Sequence, residues 1–408
     1  VASNGLLVGT DALANSRKRY RWSSKYPIAT YLVSFAASNY STWTQNFVHA
    51  GGTMPVQFFI WPEYNNTSNR TGWERSVQML GTFGSKFGPY PFIDEKYGIY
   101  QFTFGGGMEH QTMTGQSGFS ESLTAHELAH QWWGDMVTCR NWQDIWLNEG
   151  FATYSEALWL ENKPGSTGLA ALKSAMQNRR PSSTSGTVYC YNALDVNTIF
   201  DTDNSYRKGS WVLHQLRHVV GDQKFFDILL EYRRRNEYKA ADTDDFRMVA
   251  EELYGAPLDW FFDQWVMKPG APNYTVGTQN LTVNGRRYLQ VVINQTQAAM
   301  YPTFRMPLDF DTVAGPTQRH ILWNHARQQH YLLPVSSFPT STSLDPDQWV
   351  LTGSKGSASF VAGPAKIIDV NPRPGAARTA TDRVKIGFHT PVVATSEPEA
   401  GLIVRSAA

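Results

Sequence analysis

Cysteine is nearly absent. The 408 residues include two, Cys139 and Cys190, and neither belongs to a C-x-x-C pair. That excludes a disulfide-built scaffold and a cysteine-lined metal site. The simpler reading is two separate thiols; a single bridge between them would require an oxidising compartment. Net charge is nearly absent too: 36 Lys and Arg against 35 Asp and Glu leave +1. Nothing in that balance suggests a nucleic-acid partner or an anionic membrane surface. No apolar run reaches the roughly 18–20 residues that a membrane-spanning helix needs. The best run, 27–37, is broken by Thr30 and Ser34 and reads as a buried strand. The chain starts at Val1 without a basic and apolar leader. A targeting signal is therefore expected to have been removed or never included, and with the modest lysine content this leans towards a secreted or periplasmic location. No internal repeat is present.

What is there is ample core material. Apolar residues make up 41% and aromatics 13%, and the length calls for two or three domains. Over residues 1 to about 60, apolar and polar positions alternate between Gly, Asn, Ser and Pro breaks, as in Tyr31, Val33 and Phe35, then Val56, Phe58 and Ile60. That is the pattern of strands and turns. From Thr71 the period changes: Trp73, Val77, Leu80, Phe83 and Phe87 mark a helical face that stops at Gly88-Pro89. A strand is expected over 98–104, running into Gly105-Gly106-Gly107. A second helix is expected from about 120 to just before Gly134, and a third from about 148 to 158. Four more follow a polar stretch, at 206–220, 222–238, 243–254 and 258–267. At Lys268-Pro269-Gly270 the composition shifts, and Leu289, Val291 and Ile293, then Phe304, Met306, Leu308 and Phe310, alternate at period two. That predicts a small antiparallel sandwich. Beyond Pro372 no element is expected.

The chemistry concentrates in the segment HELAH, 126–130. On a helix, positions i and i+4 share a face, so His126 and His130 can reach one ion. Glu127 lies beside that face without being forced to ligate, which suits a base acting on water held by the metal. Glu149 follows His130 by nineteen positions, in WLNEGFATY. The interval leaves room for the helix to end, a loop to turn and another helix to deliver a carboxylate. Two imidazoles, a carboxylate and an open position are the donor set of a catalytic zinc site rather than a closed structural one. One Zn2+ per chain is expected. A ligating histidine also needs an outer acceptor; Glu156, two turns beyond Glu149, and Asp144 are the candidates.

Beyond these residues the sequence resembles the aminopeptidase N-like gluzincin zinc metallopeptidases, whose relatives include leukotriene A4 hydrolase. The matching stretches are GGMEH (106–110), HELAHQWWGDMV (126–137), IWLNEGFATYSEAL (145–158) and YRKGSWVLHQLR (206–217). They agree in order and spacing through roughly residues 25–270. The resemblance implies that Gly106, Gly107, Met108 and Glu109 bind substrate, with Glu109 on its free α-amino group, and that the Tyr206 phenol donates to the oxyanion. His110 stands where the family usually has Asn, so a charged imidazole there would weaken amine binding. Lys208 could orient Tyr206 or be solvated.

The same resemblance implies a multidomain α+β architecture. Residues 1–45 would be the last strands of an N-terminal β domain, apparently truncated. Residues 46–270 would be a thermolysin-like, mainly helical catalytic domain, 271–372 a small antiparallel β sandwich, and 373–408 a tail. The expected activity is removal of N-terminal residues from peptides with a free N-terminus. The alternatives are a catalytically weak or inactive peptidase-fold fragment acting as a binding module, or a bifunctional hydrolase like leukotriene A4 hydrolase.

Overall fold

The computed structural model describes residues 1–371 and 385–389. At the N-terminus, Leu6–Ala12 and Lys18–Ser23 form a hairpin. The 27–37 run is not the buried strand its hydropathy predicts. Thr30–Leu32 is a 3-10 turn and Phe35–Ala36 a two-residue strand paired with Ala2–Ser3. Only Leu32 is buried, whereas Val33 and Phe35 are 59% and 81% exposed. The reason lies in the backbone: the amides of Leu32 and Val33 donate locally, to Ala29 and Thr30, so no ladder remains to carry a strand.

A five-stranded sheet follows, in the order Ser41–His49, Gly52–Ile60, Tyr97–Gln101, Thr114–Gln116, Gly107–Met108. The domain boundary expected at 45 falls inside its first strand. The last strand, Gly107–Met108, runs antiparallel to Thr114–Gln116 and forms one edge. Against the sheet lies helix α1 (Thr67–Phe87), which buries Trp73, Leu80, Phe83 and Phe87. It starts four residues before the expected Thr71, because the Asn66 side chain accepts from the Asn69 amide and caps the first turn.

Helix α2 (Glu121–Ala129) begins where Ser120 accepts from the Leu123 amide. Helix α3 (Trp146–Asn162) is buried on nearly every side from Trp146 to Ser155, as a helix must be when its neighbours surround it. Two helices have no counterpart in the sequence reading: α4 (Leu169–Asn178) and the single turn α5 (Val196–Ile199). A π-helical segment, Thr202–Lys208, then leads into α6 (Gly209–Val220). The remaining helices are α7 (Asp222–Asn236), α8 (Thr243–Tyr254) and α9 (Asp259–Phe262), the last continued by a second π segment, Asp263–Met267. Arg217 locks this body together. Its guanidinium reaches Glu161 at the end of α3 through two 2.8 Å contacts and Asp222 at the start of α7 through two more. Fork-to-carboxylate pairs of this kind fix orientation as well as distance. Seven tryptophans, Trp73, Trp132, Trp133, Trp146, Trp159, Trp211 and Trp265, are fully buried in the shared core.

After residue 271 the expected two-sheet arrangement is present. One sheet has four strands, with Asn273–Val283 and Arg286–Gln295 at its centre, and the other has three around Met306–Val313. All pairs are antiparallel except that between Asn273–Val283 and Ser354–Ser357, which is parallel. Where no element was expected beyond Pro372, Lys385–Phe388 pairs with Ile367–Asn371; the rest of the expected tail lies outside the described residues. Among those residues no helix is long and apolar enough to cross a membrane. Cys139 and Cys190 are free thiols.

Candidate active site

α2 and α3 meet so that three donor atoms form a small triangle. His126 Nε2 lies 3.1 Å from His130 Nε2 and 3.2 Å from Glu149 Oε2, and His130 Nε2 is 3.3 Å from the same carboxylate oxygen. The outer nitrogens are already committed. His126 Nδ1 is 3.0 Å from Glu156 Oε1 and His130 Nδ1 is 3.0 Å from the Trp133 carbonyl oxygen. Both outer partners can only accept, so each Nδ1 carries a proton and the neutral rings turn bare Nε2 lone pairs towards each other and Glu149. Such a triangle calls for a cation. Tetrahedral corners about an ion with ligands at about 2.0–2.1 Å are spaced about 3.3 Å apart, so the set fits zinc. Without one, protons must fill the role. Burial opposes charging His130, but the carboxylates of Glu149 and Glu109 prevail and push it up to about 9.

Of the two outer acids expected in the sequence, Glu156 is present on His126 and is itself paired with Arg179. Asp144 is not at the site. Its Oδ1 accepts from the Thr243 hydroxyl at 2.6 Å and the Thr243 amide at 3.2 Å, tying the start of α3 to α8. It lies five residues before Glu149, on a 3-10 turn that precedes the helix, and so faces elsewhere.

Two close approaches shape the surroundings. A Cβ on Gly107 would sit 2.3 Å from Glu127 Oε1, so only glycine lets the edge strand lie against that carboxylate. A Cβ on Gly150 would sit 2.9 Å from the carbonyl carbon of Gly209. This backbone-to-backbone crossing of α3 and α6 brings the preceding π segment, with Tyr206, onto the donor set. The Tyr206 ring faces that of His126 at 6.0 Å. Burial, reinforced by the charge of Glu149, raises its pKa, so the phenol remains a donor. Lys208 is buried, with Nζ donating to the carbonyls of Gly186 and Lys268, which pins the π segment from behind.

One oxygen each of Glu109 and Glu127 lies with a His130 nitrogen in a group spanning no more than 4.8 Å. Burial, with the charges of Glu109 and Glu149 against those of the histidines, lifts Glu127 to about 8. Burial likewise raises Glu109. His110 points away: it stacks on Tyr100, its Nδ1 3.2 Å from the Tyr100 hydroxyl, and burial pushes its pKa down to about 4. It is therefore neutral, and the charged imidazole feared from the sequence does not arise. Gly106, Gly107, Met108, Glu109, Glu127, Tyr206 and the three donors all line one cavity of about 730 Å3. Sequence reasoning missed Tyr31 and Asn148 in its wall and Gln131 behind it. The Tyr31 hydroxyl is 3.3 Å from the Gly134 carbonyl and 3.4 Å from Asn148 Nδ2, linking the N-terminal segment to α3.

Residues 105–265 match the peptidase family M1 domain. A probable aminopeptidase 1 of Sulfurisphaera tokodaii is 28% identical over 230 residues, covering 53% of this chain and 28% of that protein. A glutamyl aminopeptidase of Sus scrofa is 26% identical over 293 residues, covering 64% of this chain and 30% of its own length. The crystal structure of a variant M1 zinc metallopeptidase from Deinococcus radiodurans, bound to a Tyr-Ser-Ala substrate, superposes with a TM-score of 0.56 at 27% identity, over 65% of this chain and 60% of that one. The chain thus carries a peptidase family M1 domain, in line with the resemblance in its motifs, and the matches span about three tenths of the length of these two curated relatives.

Proposed function

We propose that this chain is a zinc aminopeptidase hydrolysing the N-terminal peptide bond of peptides. The observation that carries the reading is the pair of groups sharing His130: a metal-donor triangle on one side, the carboxylates of Glu109 and Glu127 on the other. His126, His130 and Glu149 would hold one zinc ion per chain. The chemistry the ion supplies in such a set is polarisation of a carbonyl and acidification of water.

The protein's own groups do the rest. Gly106, Gly107 and Met108 present a sheet edge along which an extended peptide backbone can lie, as in strand addition. Glu109 accepts the ammonium group at the peptide's start, and its fixed distance from the donor set limits cleavage to the first bond. Glu127 removes a proton from water and passes it to the departing nitrogen. Tyr206 donates to the carbonyl oxygen as charge builds there. The curated relatives quoted are named as aminopeptidases, which supports the reaction class; the glutamyl preference in one name does not follow from these groups. Within this reading, the five-stranded sheet and the helices to about residue 270 form a thermolysin-like catalytic domain, with the sandwich behind it. Against the inactive-module alternative speaks the proximity of the residues proposed as donors and base, which share His130.

Zinc content and turnover of Glu127→Gln test the base. Retained zinc with nearly all turnover lost is expected; full turnover would remove Glu127 from the mechanism.

A further inference from the structure

The polar groups at the floor of the cavity account for its chemistry but not for its walls. Tyr31, Trp142 and Phe200 line the cavity from three distant parts of the chain. They form a continuous aromatic wall: Tyr31 meets Trp142 edge-on at 6.1 Å, and Trp142 meets Phe200 edge-on at 6.1 Å. Val196, Phe104 and Met108 extend the apolar lining. Phe200, Trp142 and Phe104 are 40%, 43% and 72% exposed. Large apolar groups left this open beside a cavity gain most from an apolar occupant.

Charge points the same way. Four carboxylates, Glu109, Glu127, Glu149 and Glu156, line the cavity, and among the described residues that line it none is Lys or Arg. The cations nearby are engaged elsewhere. Arg179 is paired with Glu156, and Lys208 donates to two backbone carbonyls. An acidic side chain against the aromatic wall would lose water, find no Lys or Arg to pair with and share the cavity with four other carboxylates. A basic side chain would find no free carboxylate on the aromatic wall. A ring or branched aliphatic chain would bury its surface against Trp142 and Phe200 in edge-to-face contacts.

We propose that the site selects peptides whose first residue carries a bulky apolar or aromatic side chain, with Trp142 and Phe200 determining that choice, and that it rejects acidic first residues. The proposal rests on the aminopeptidase reading of the cavity but is separable from it, because it concerns binding.

The test is calorimetric titration of the zinc-loaded Glu127→Gln chain with Phe-Ala-Ala, Ala-Ala-Ala and Glu-Ala-Ala. Binding of the Phe peptide at least tenfold tighter than the Glu peptide is expected. A Glu peptide that binds as tightly as the Phe peptide overturns the proposal. Adding Trp142→Ala or Phe200→Ala should weaken the Phe peptide about tenfold and the Ala peptide less than threefold. Equal weakening of both peptides would remove these residues from the choice. The three tripeptides are then offered to the unsubstituted zinc-loaded chain. Ordered binding without turnover would refute the aminopeptidase reading and leave this one standing.

Discussion

Gln131 holds Glu109 from behind. Its side-chain Nε2 donates to the Glu109 backbone carbonyl at 3.1 Å, and its Oε1 accepts from the Thr112 amide at 2.8 Å and from the Tyr90 hydroxyl at 3.2 Å. The residue after the second histidine thus clamps both ends of the loop that carries the proposed amine-binding acid. Thr112 lies in left-handed backbone, at φ +63°, which an unclamped threonine would leave. In Gln131→Met, two buried backbone groups lose their partners at a cost of about 1–3 kcal/mol each. Denaturant unfolding should register that loss. The KM for free-amine substrates should rise by a larger factor than kcat falls. Unchanged stability would show that the loop is held by other means.

Gly150→Ala should disturb the site through its scaffold. The added Cβ meets the Gly209 backbone, which has no flexible end to move aside, so α3 and α6 must separate at a cost of about 1–3 kcal/mol. Glu149 and Tyr206 lie on either side of that crossing, and zinc affinity and turnover should fall together. Gly84→Ala is the control. A Cβ there meets nothing within 4 Å and lies inside α1, so stability should rise by about 0.5–1 kcal/mol. Thermal unfolding of the pair decides between steric and propensity effects.

The two acids considered as outer partners should separate in a zinc titration. Glu156→Gln weakens the acceptor behind His126 and should lower zinc affinity roughly 10–100-fold. Asp144→Asn should leave zinc affinity unchanged and lower stability, because Asp144 serves Thr243. The reverse pattern would mean that the outer contacts are misassigned.

Lys96 gives stability a pH dependence. Its Nζ is buried and donates to the Ser3 carbonyl at 3.0 Å and the Thr112 carbonyl at 3.1 Å, and burial pushes its pKa down to about 7. The folded state therefore releases this proton more readily than the unfolded chain, whose lysine titrates near 10.5. Stability from this group is fully present above the unfolded value. It declines as pH falls towards 7, by at most about 1.4 kcal/mol per pH unit, and is flat below that. Against Lys96→Met, the relative stability of the unsubstituted chain should rise between pH 7 and 9.5. A pH-independent difference would contradict the assignment.

The legible part of the site was the part set by local geometry. His126 and His130 are fixed to one face by the helix repeat, and Glu156 follows from Glu149 by the same rule. Gly107 and Gly150 sat within recognisable motifs, but their reason, a backbone touching Glu127 or Gly209, is a tertiary fact. Gln131 reads in sequence as an ordinary polar residue at a helix end. Tyr31, Trp142 and Phe200 share no period, because they converge only when two 3-10 turns and the end of α5, all distant in sequence, meet. The 27–37 run misled because apolar content does not say whether a neighbouring ladder exists. Helix α4 was readable in principle, since its buried Leu172, Ala175 and Met176 lie at i, i+3 and i+4.

The central claim is that this cavity hydrolyses peptides from a free N-terminus. The most direct measurement compares a fluorogenic leucyl substrate with its N-acetylated twin, with the chain zinc-loaded and again after chelation. Turnover of the free-amine form alone, lost on chelation and restored by zinc, is the expected result. Cleavage of the acetylated form at a comparable rate, or turnover indifferent to chelation, would contradict it.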